Sequence, residues 1–186
     1  MFTTAQRRRL LELARAQLGY LLSDGPEPAL PLADEALMEP KGAFVTLKRH
    51  GLLRGCIGTL MPEQPLAQII LEMAEAAARE DPRFPPVRGI ELPEIEIEIS
   101  VLTPFEPVFD TEEIEVGVHG LLMRRGSHSG LLLPQVPTEY GWSREEFLDH
   151  TCHKAGLPVG AWRDPETQIW SFSAEVFSEA EVGEED

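Results

Sequence analysis

The run Arg54-Gly55-Cys56-Ile57-Gly58-Thr59 places a guanidinium, a thiol and a hydroxyl within six positions. In an extended strand, residues two apart point to the same face, so Arg54 is expected beside Cys56. A neighbouring guanidinium favours the thiolate, which is the nucleophilic and metal-binding form of cysteine. Gly55 and Gly58 carry no side chains and would leave backbone open to a ligand or to another strand. Thr59 adds the hydroxyl. One reading is therefore a small niche in which Cys56 is a nucleophile or a substrate-contacting thiol and Arg54 an anion clamp. The other is architectural: cysteine also behaves as a small buried apolar residue, and glycines within strands mark bulges.

Other groups carry weaker signals. His150, Cys152 and His153 lie close in sequence, and on a helix the two histidines are neighbours. With a distant third ligand they would suit a transition metal, but no fourth ligand is evident, and a histidine near a helix C-terminus also complements the helix dipole. His150 can instead serve Cys56 as a base, since the partners of a nucleophile need only be near it in space. His119 precedes Gly120 and reads as a general base or as a turn histidine. Arg83, framed by Pro82 and Pro85, can bind a carboxylate or the chain's own carbonyls. Arg124 and Arg125 precede a Gly/Ser-rich tip that lacks the spacing of a phosphate loop. Glu94, Glu96 and Glu98 alternate with isoleucines, which fits a solvated sheet face better than a pair of working carboxylates. The candidate site residues are thus Cys56 and Arg54 for catalysis, and Gly55, Gly58, Thr59, Arg83, His119 and His150 for ligand contact. No metal site and no cofactor are predicted.

The elements that position these residues follow from periodicity and punctuation. Thr3 or Thr4 caps a helix running to about Leu22, with Leu10, Leu11, Ala14 and Leu18 on one face. Proline-rich residues 25–41 form a packed loop. Ala43–Arg49 and Leu52–Leu60 make a hairpin about His50-Gly51. Pro65 opens a helix to about Arg79, and Asp81–Pro86 is non-helical. Ile95–Val101 is a strand with one apolar and one acidic face. Ile114–His119 and Leu121–Arg124 read as paired strands about Gly120, and Gly130–Leu133 as another. Ser143, with Glu146 three residues on, caps a helix to about Ala155. Ile169–Phe177 is the last strand, and residues 179–186 are expected to be a frayed acidic tail. The repeated His-Gly-Leu-Leu at 50–53 and 119–122 hints at two related units.

Bulk properties narrow the class. At 186 residues with 42% hydrophobic content, one domain with a sizeable core is expected. Thirty-two acidic against 16 basic side chains give a net charge of -16, which opposes binding to nucleic acid. Two distant cysteines make no disulfide scaffold. With neither a signal-peptide pattern nor an apolar run of about 20 residues, the cytoplasm is the expected compartment, with no membrane contact.

The segment Leu53–Thr59 resembles the RGCIGT signature of AMMECR1 domains. Flanking segments extend the resemblance over about residues 5–178: Gly42–Leu47, Asp81–Pro86, Glu96–Leu102, His119–Leu121, Arg125-Gly126, Ser129–Leu131, Leu133–Val136, Gly141-Trp142, Glu145–Leu148 and Lys154–Pro158. The resemblance implies an α+β fold, a mostly antiparallel sheet with packed helices, divided into a larger and a smaller lobe. It also implies partners, a Memo-like protein and a radical SAM enzyme, without implying a reaction. Two expectations result: an adaptor or substrate-binding component of such a system, or a cysteine-dependent transferase or hydrolase using Cys56.

Overall fold

The computed structural model describes residues 1–184. The first helix, α1 (Thr4–Ser23), begins where Thr3 accepts the Gln6 N–H and Gln6 reciprocates on the Thr3 N–H, and it ends at Asp24, whose φ is 54°. β1 (Ala43–Arg49) and β2 (Leu52–Thr59) pair antiparallel about His50-Gly51. Both turn residues have positive φ, 53° and 75°, matching the twist that a two-residue hairpin needs. α2 (Leu66–Arg79) starts behind Pro65, where a missing N–H costs nothing. A 3₁₀ helix, Gly89–Glu94, leads into β3 (Ile95–Leu102).

The chain divides into two compact units: Met1–Leu102 with the segment from Glu175 onward, and Thr103–Ala174. The first holds an antiparallel sheet ordered β2-β1-β3-β8, where β8 is Ala174–Ser178. Val45 and Leu47 of β1 and Ile97 and Ile99 of β3 face Leu10 and Leu18 of α1 and Leu66 and Ile70 of α2, all buried in one core. Burial of each such aliphatic side chain contributes about 1.5–3 kcal/mol. On the opposite sheet face, Lys48 of β1 meets Glu98 of β3, with Nζ 2.7 Å from Oε2.

The second unit carries β4 (Glu106–Pro107), β5 (Gly120–Arg125), β6 (His128–Leu132) and β7 (Gln168–Phe172), ordered β4-β7-β5-β6. α3 (Gln135–Tyr140) and α4 (Arg144–Lys154) follow β6. Ser143 and Glu146 form the expected capping box of α4, and Phe147, Leu148 and Cys152 pack on Leu121 and Met123.

Three expectations are corrected. Ile114–His119 is no strand: Gly117 has φ 88°, and the His119 N–H bonds back to the Glu115 carbonyl, which closes a turn. β5 pairs instead with β6 about Gly126. The run 169–177 is interrupted at Ser173, which bonds to Thr103 and to the Val118 carbonyl, so β7 and β8 belong to different sheets. Glu179–Glu184 is helical (α5), with Val182 buried, where fraying was expected; Glu179 accepts from Arg15 and from the Ile97 N–H. The last two residues of the expected tail lie outside the described residues.

Candidate functional site

β2 is an edge strand, so half of its backbone groups have no strand partner. At Cys56 they are met by side chains. The Cys56 N–H donates to Asp81 Oδ2 at 2.8 Å, and its carbonyl accepts from Arg83 Nη2 at 3.4 Å. Both groups point away from β1, so Cys56 and its cross-strand neighbour Thr46 form a pair of the non-hydrogen-bonded type, whose side chains lie close together. The Thr46 hydroxyl accordingly donates to Cys56 Sγ at 3.1 Å.

Asp81 and Arg83 form a two-point clamp. Arg83 Nε donates to Oδ1 at 2.9 Å and Nη2 to Oδ2 at 2.7 Å. The Asp81 side chain is 2% exposed and that of Arg83 55%. Arg83's hydrogen bonds, helped by the N–H groups of Cys56 and Arg83, hold the Asp81 carboxyl well below the usual carboxylate range against the opposing effect of burial. The Asp81 carboxylate raises Arg83 in turn, with Cys56 a smaller contributor. An ion pair therefore covers the strand edge at the cysteine.

The other signature residues are engaged in packing. Leu47 pairs with Gly55 and Lys48 with Leu53, which leaves Arg54 as the extra residue of a β-bulge. A bulge re-aims its side chain, and Arg54, expected as an anion clamp, instead grips Glu91 through Nε (3.0 Å) and Nη2 (3.2 Å) and donates from Nη1 to the Pro85 carbonyl. Glu91 is buried, also meets Arg49 at 3.3 Å, and accepts the Arg88 N–H. Its pKa is lowered to about 2, first by Arg54 and then by that N–H. Gly55 does not open backbone to a ligand: a Cβ there would stand 2.1 Å from the Ala77 carbonyl oxygen, so the glycine lets α2 rest directly on β2. At Gly58 a Cβ would stand 2.3 Å from the Phe44 ring, which fills that space. Thr59 pairs with Ala43 at the strand's end.

The second unit holds the remaining candidates. His119 Nδ1 accepts the Glu115 N–H at 3.1 Å, the bond of a turn histidine. His150 stacks on Trp142, centroids 3.7 Å apart, and Tyr140 also stacks on that indole at 5.0 Å. Cys152 is fully buried at 3.2 Å from Met123 Sδ, and burial pushes its thiol up. Arg125, beside the Gly/Ser tip, pairs with Asp164. Among the described residues no three His, Cys, Asp or Glu side chains stand together as metal ligands, and no helix is long and apolar enough to cross a membrane.

The structure thus brings Cys56 together with Arg83, and with two residues that sequence reasoning missed, Thr46 and Asp81. The sequence signals for Asp81 are its place in the Asp81–Pro86 segment of the resemblance and its spacing from Arg83, an acid two residues before a base in a proline-framed segment. Thr46 follows from the hairpin register once His50-Gly51 is taken as the turn.

The sequence profile of the AMMECR1 family matches residues 11–177. A Thermococcus gammatolerans protein is 47% identical over 185 residues, covering 91% of this chain and 88% of the relative. A Methanopyrus kandleri protein is 47% identical over 181 residues, covering 92% and 87%. The crystal structure of an uncharacterised protein, PH0010 from Pyrococcus horikoshii, superposes with a TM-score of 0.77 at 42% identity, covering 94% of this chain and 92% of that one.

Proposed function

The chain belongs to the AMMECR1 family, and from that premise we propose that it works as a binding component, an adaptor or substrate-binding subunit acting with a Memo-like protein and a radical SAM enzyme. The observation that carries this reading is the engagement of the signature segment. Arg54 is held by Glu91, Gly55 by the backbone of α2, Gly58 by Phe44, and the Cys56 backbone by Asp81 and Arg83. These contacts build a rigid, finished strand edge, which suits recognition because little ordering entropy is left to lose on binding. The test is sedimentation of the purified protein with the Memo-like and radical SAM proteins encoded by the same genome. The expected result is a complex with one or both; separate sedimentation of all three across micromolar concentrations would refute the reading.

A second reading is favoured by one specific feature. Cys56 is only half-buried, its sulfur accepts a hydroxyl hydrogen bond, and the Arg83 guanidinium is close by. That environment suits a cysteine-dependent transferase or hydrolase. Alkylation with iodoacetamide as a function of pH, mapped by mass spectrometry with buried Cys152 as the internal control, separates the two. Fast modification of native Cys56 well below pH 8 supports the enzyme; modification of both cysteines only on unfolding excludes it.

A further inference from the structure

We propose that the sheet face of the second unit turned away from α4 holds a small apolar carboxylate, its hydrocarbon part on Leu122, Leu131 and Trp170 and its charge on Arg124. The inference rests on the reading of a substrate-binding component and names the class of substrate. Directly opposed residues of an antiparallel sheet share a face, and residues two apart along a strand return to it. Leu121 and Met123 of β5 and Ile169 of β7 lie in the core with Phe147, Leu148 and Cys152 of α4. Leu122 therefore lies on the other face. Trp170 and Leu131 are opposite Leu122, and Pro107 is opposite Trp170. This makes one row across all four strands, Pro107-Trp170-Leu122-Leu131. Two residues along three of those strands, Gln168, Arg124 and Ser129 make a second row on the same face.

The two rows differ in chemistry, and the fold claims neither. Leu122, Leu131 and Trp170 are half-buried and belong to neither hydrophobic core. Gln168, Arg124 and Ser129 are exposed. The other arginines of this unit are tied to carboxylates: Arg125 to Asp164, Arg144 to Glu112 and Arg163 to Glu145. Arg124 has no carboxylate partner among the described residues, although the chain carries 32 acidic side chains against 16 basic. A guanidinium left over in such a chain, with a hydroxyl and an amide in its row, suits a carboxylate brought from outside. A phosphate is a poorer match, since its second charge would face the net -16 of the chain. The apolar row beside Arg124 requires the rest of the ligand to be hydrocarbon, and Trp170 favours an aryl group. Size points to a small molecule. Four strands span about 14 Å and the rows lie about 7 Å apart. That footprint is on the order of 100 Å², against roughly 800 Å² given by each partner in a stable protein interface.

The test is nuclear magnetic resonance of the isotope-labelled full chain titrated with hydrocinnamate, a phenyl ring on a short carboxylate chain. The expected result is saturable shifts at the amides of Leu122, Arg124 and Ser129 and at the Trp170 indole N–H, with the Cys56 amide unmoved. Binding should weaken about fivefold on Arg124→Gln, the upper end for a solvent-facing charge pair. The neutral analogue hydrocinnamide should bind the wild type as weakly as the acid binds Arg124→Gln, and this comparison needs no variant to fold. Leu131→Ser should weaken acid and amide alike, with circular dichroism confirming that both variants are folded. No saturation into the millimolar range, shifts centred elsewhere, or equal binding of acid and amide would overturn the proposal. So would far tighter binding of a peptide ending in a phenylalanine carboxylate, since the face would then take a chain end. The outcomes also separate this site from the broader reading. A complex with the Memo-like or radical SAM protein, without hydrocinnamate binding, sinks the site alone. Hydrocinnamate binding that needs Arg124, without any such complex, sinks the partner assignment alone.

Discussion

Replacing Glu91 by glutamine removes the one carboxylate on which Arg49, Arg54 and Arg88 converge while keeping its shape and one acceptor oxygen. The carboxyl falls from 4.5 to about 2 on folding. At about 1.4 kcal/mol per pKa unit, the ionised form contributes at most about 3.5 kcal/mol. The partly exposed Arg49 and Arg88 let solvent screen part of this, so roughly 2 kcal/mol is expected from Glu91→Gln at pH 7. The pH dependence follows from the direction of the shift. Because the folded pKa is depressed, the contribution is complete above about 4.5 and is lost as pH falls toward about 2. The wild-type advantage over Glu91→Gln should therefore hold from pH 7 to pH 5 and shrink steadily from pH 4 to pH 2.5. Urea unfolding followed by far-ultraviolet circular dichroism measures it. Tryptophan fluorescence is the wrong probe, since Trp142, Trp162 and Trp170 all lie in the second unit. A difference below about 0.5 kcal/mol at pH 7 (the low range of exposed pairs), or one that stays flat down to pH 2.5, would refute the electrostatic account of this network.

Gly55→Ala drives a Cβ into the Ala77 carbonyl; neither backbone can yield cheaply, so a loss of at least about 3 kcal/mol is expected, read as the urea midpoint or as insolubility. Gly58→Ala meets mainly the Phe44 ring, and combining it with Phe44→Ala should restore part of the lost stability in a double-mutant cycle. Asp81→Asn removes the charged acceptor of the Cys56 N–H and of Arg83; hydrogen exchange at the Cys56 amide should accelerate more than tenfold, and in the wild type the protection should persist into acid because Asp81 titrates below the usual carboxylate range. Ser143→Ala removes the α4 cap and should cost about 1 kcal/mol by thermal melting.

Local patterns made much of the fold legible before its structure. Alternation in Ala43–Arg49, the Gly after His50, and the Thr3 and Ser143 caps each depend on neighbours a few residues away, and they place β1, its turn and two helices. What could not be read depends on distant partners. Period-two alternation assumes an unbroken ladder, yet the bulge at Arg54 sends that side chain to Glu91, a residue 37 positions away. The cover over Cys56 comes from Asp81, 25 positions away. Ile169–Phe177 has one continuous strand composition, and only the bonds of Ser173 to Thr103 and Val118 divide it between two sheets. Ile114–Val118 is rich in β-branched residues, but Gly117 bends it into a turn.

The connectivity of the first sheet has a consequence for how the protein is made. Its fourth strand, β8, is separated from β3 by the whole of the second unit. On a ribosome, the second unit is therefore fully synthesised while the first still lacks its edge strand. At that stage Glu175 has not yet met the Phe2 N–H and Arg7, nor Glu179 the Arg15 guanidinium and the Ile97 N–H. Nascent domains ordinarily close in order from the N-terminus; here the unit begun first is finished last. Until the final strand emerges, β3 offers an open hydrogen-bonding edge next to the helices that will form its core, and that interval is when the growing chain is most exposed to mispairing with another.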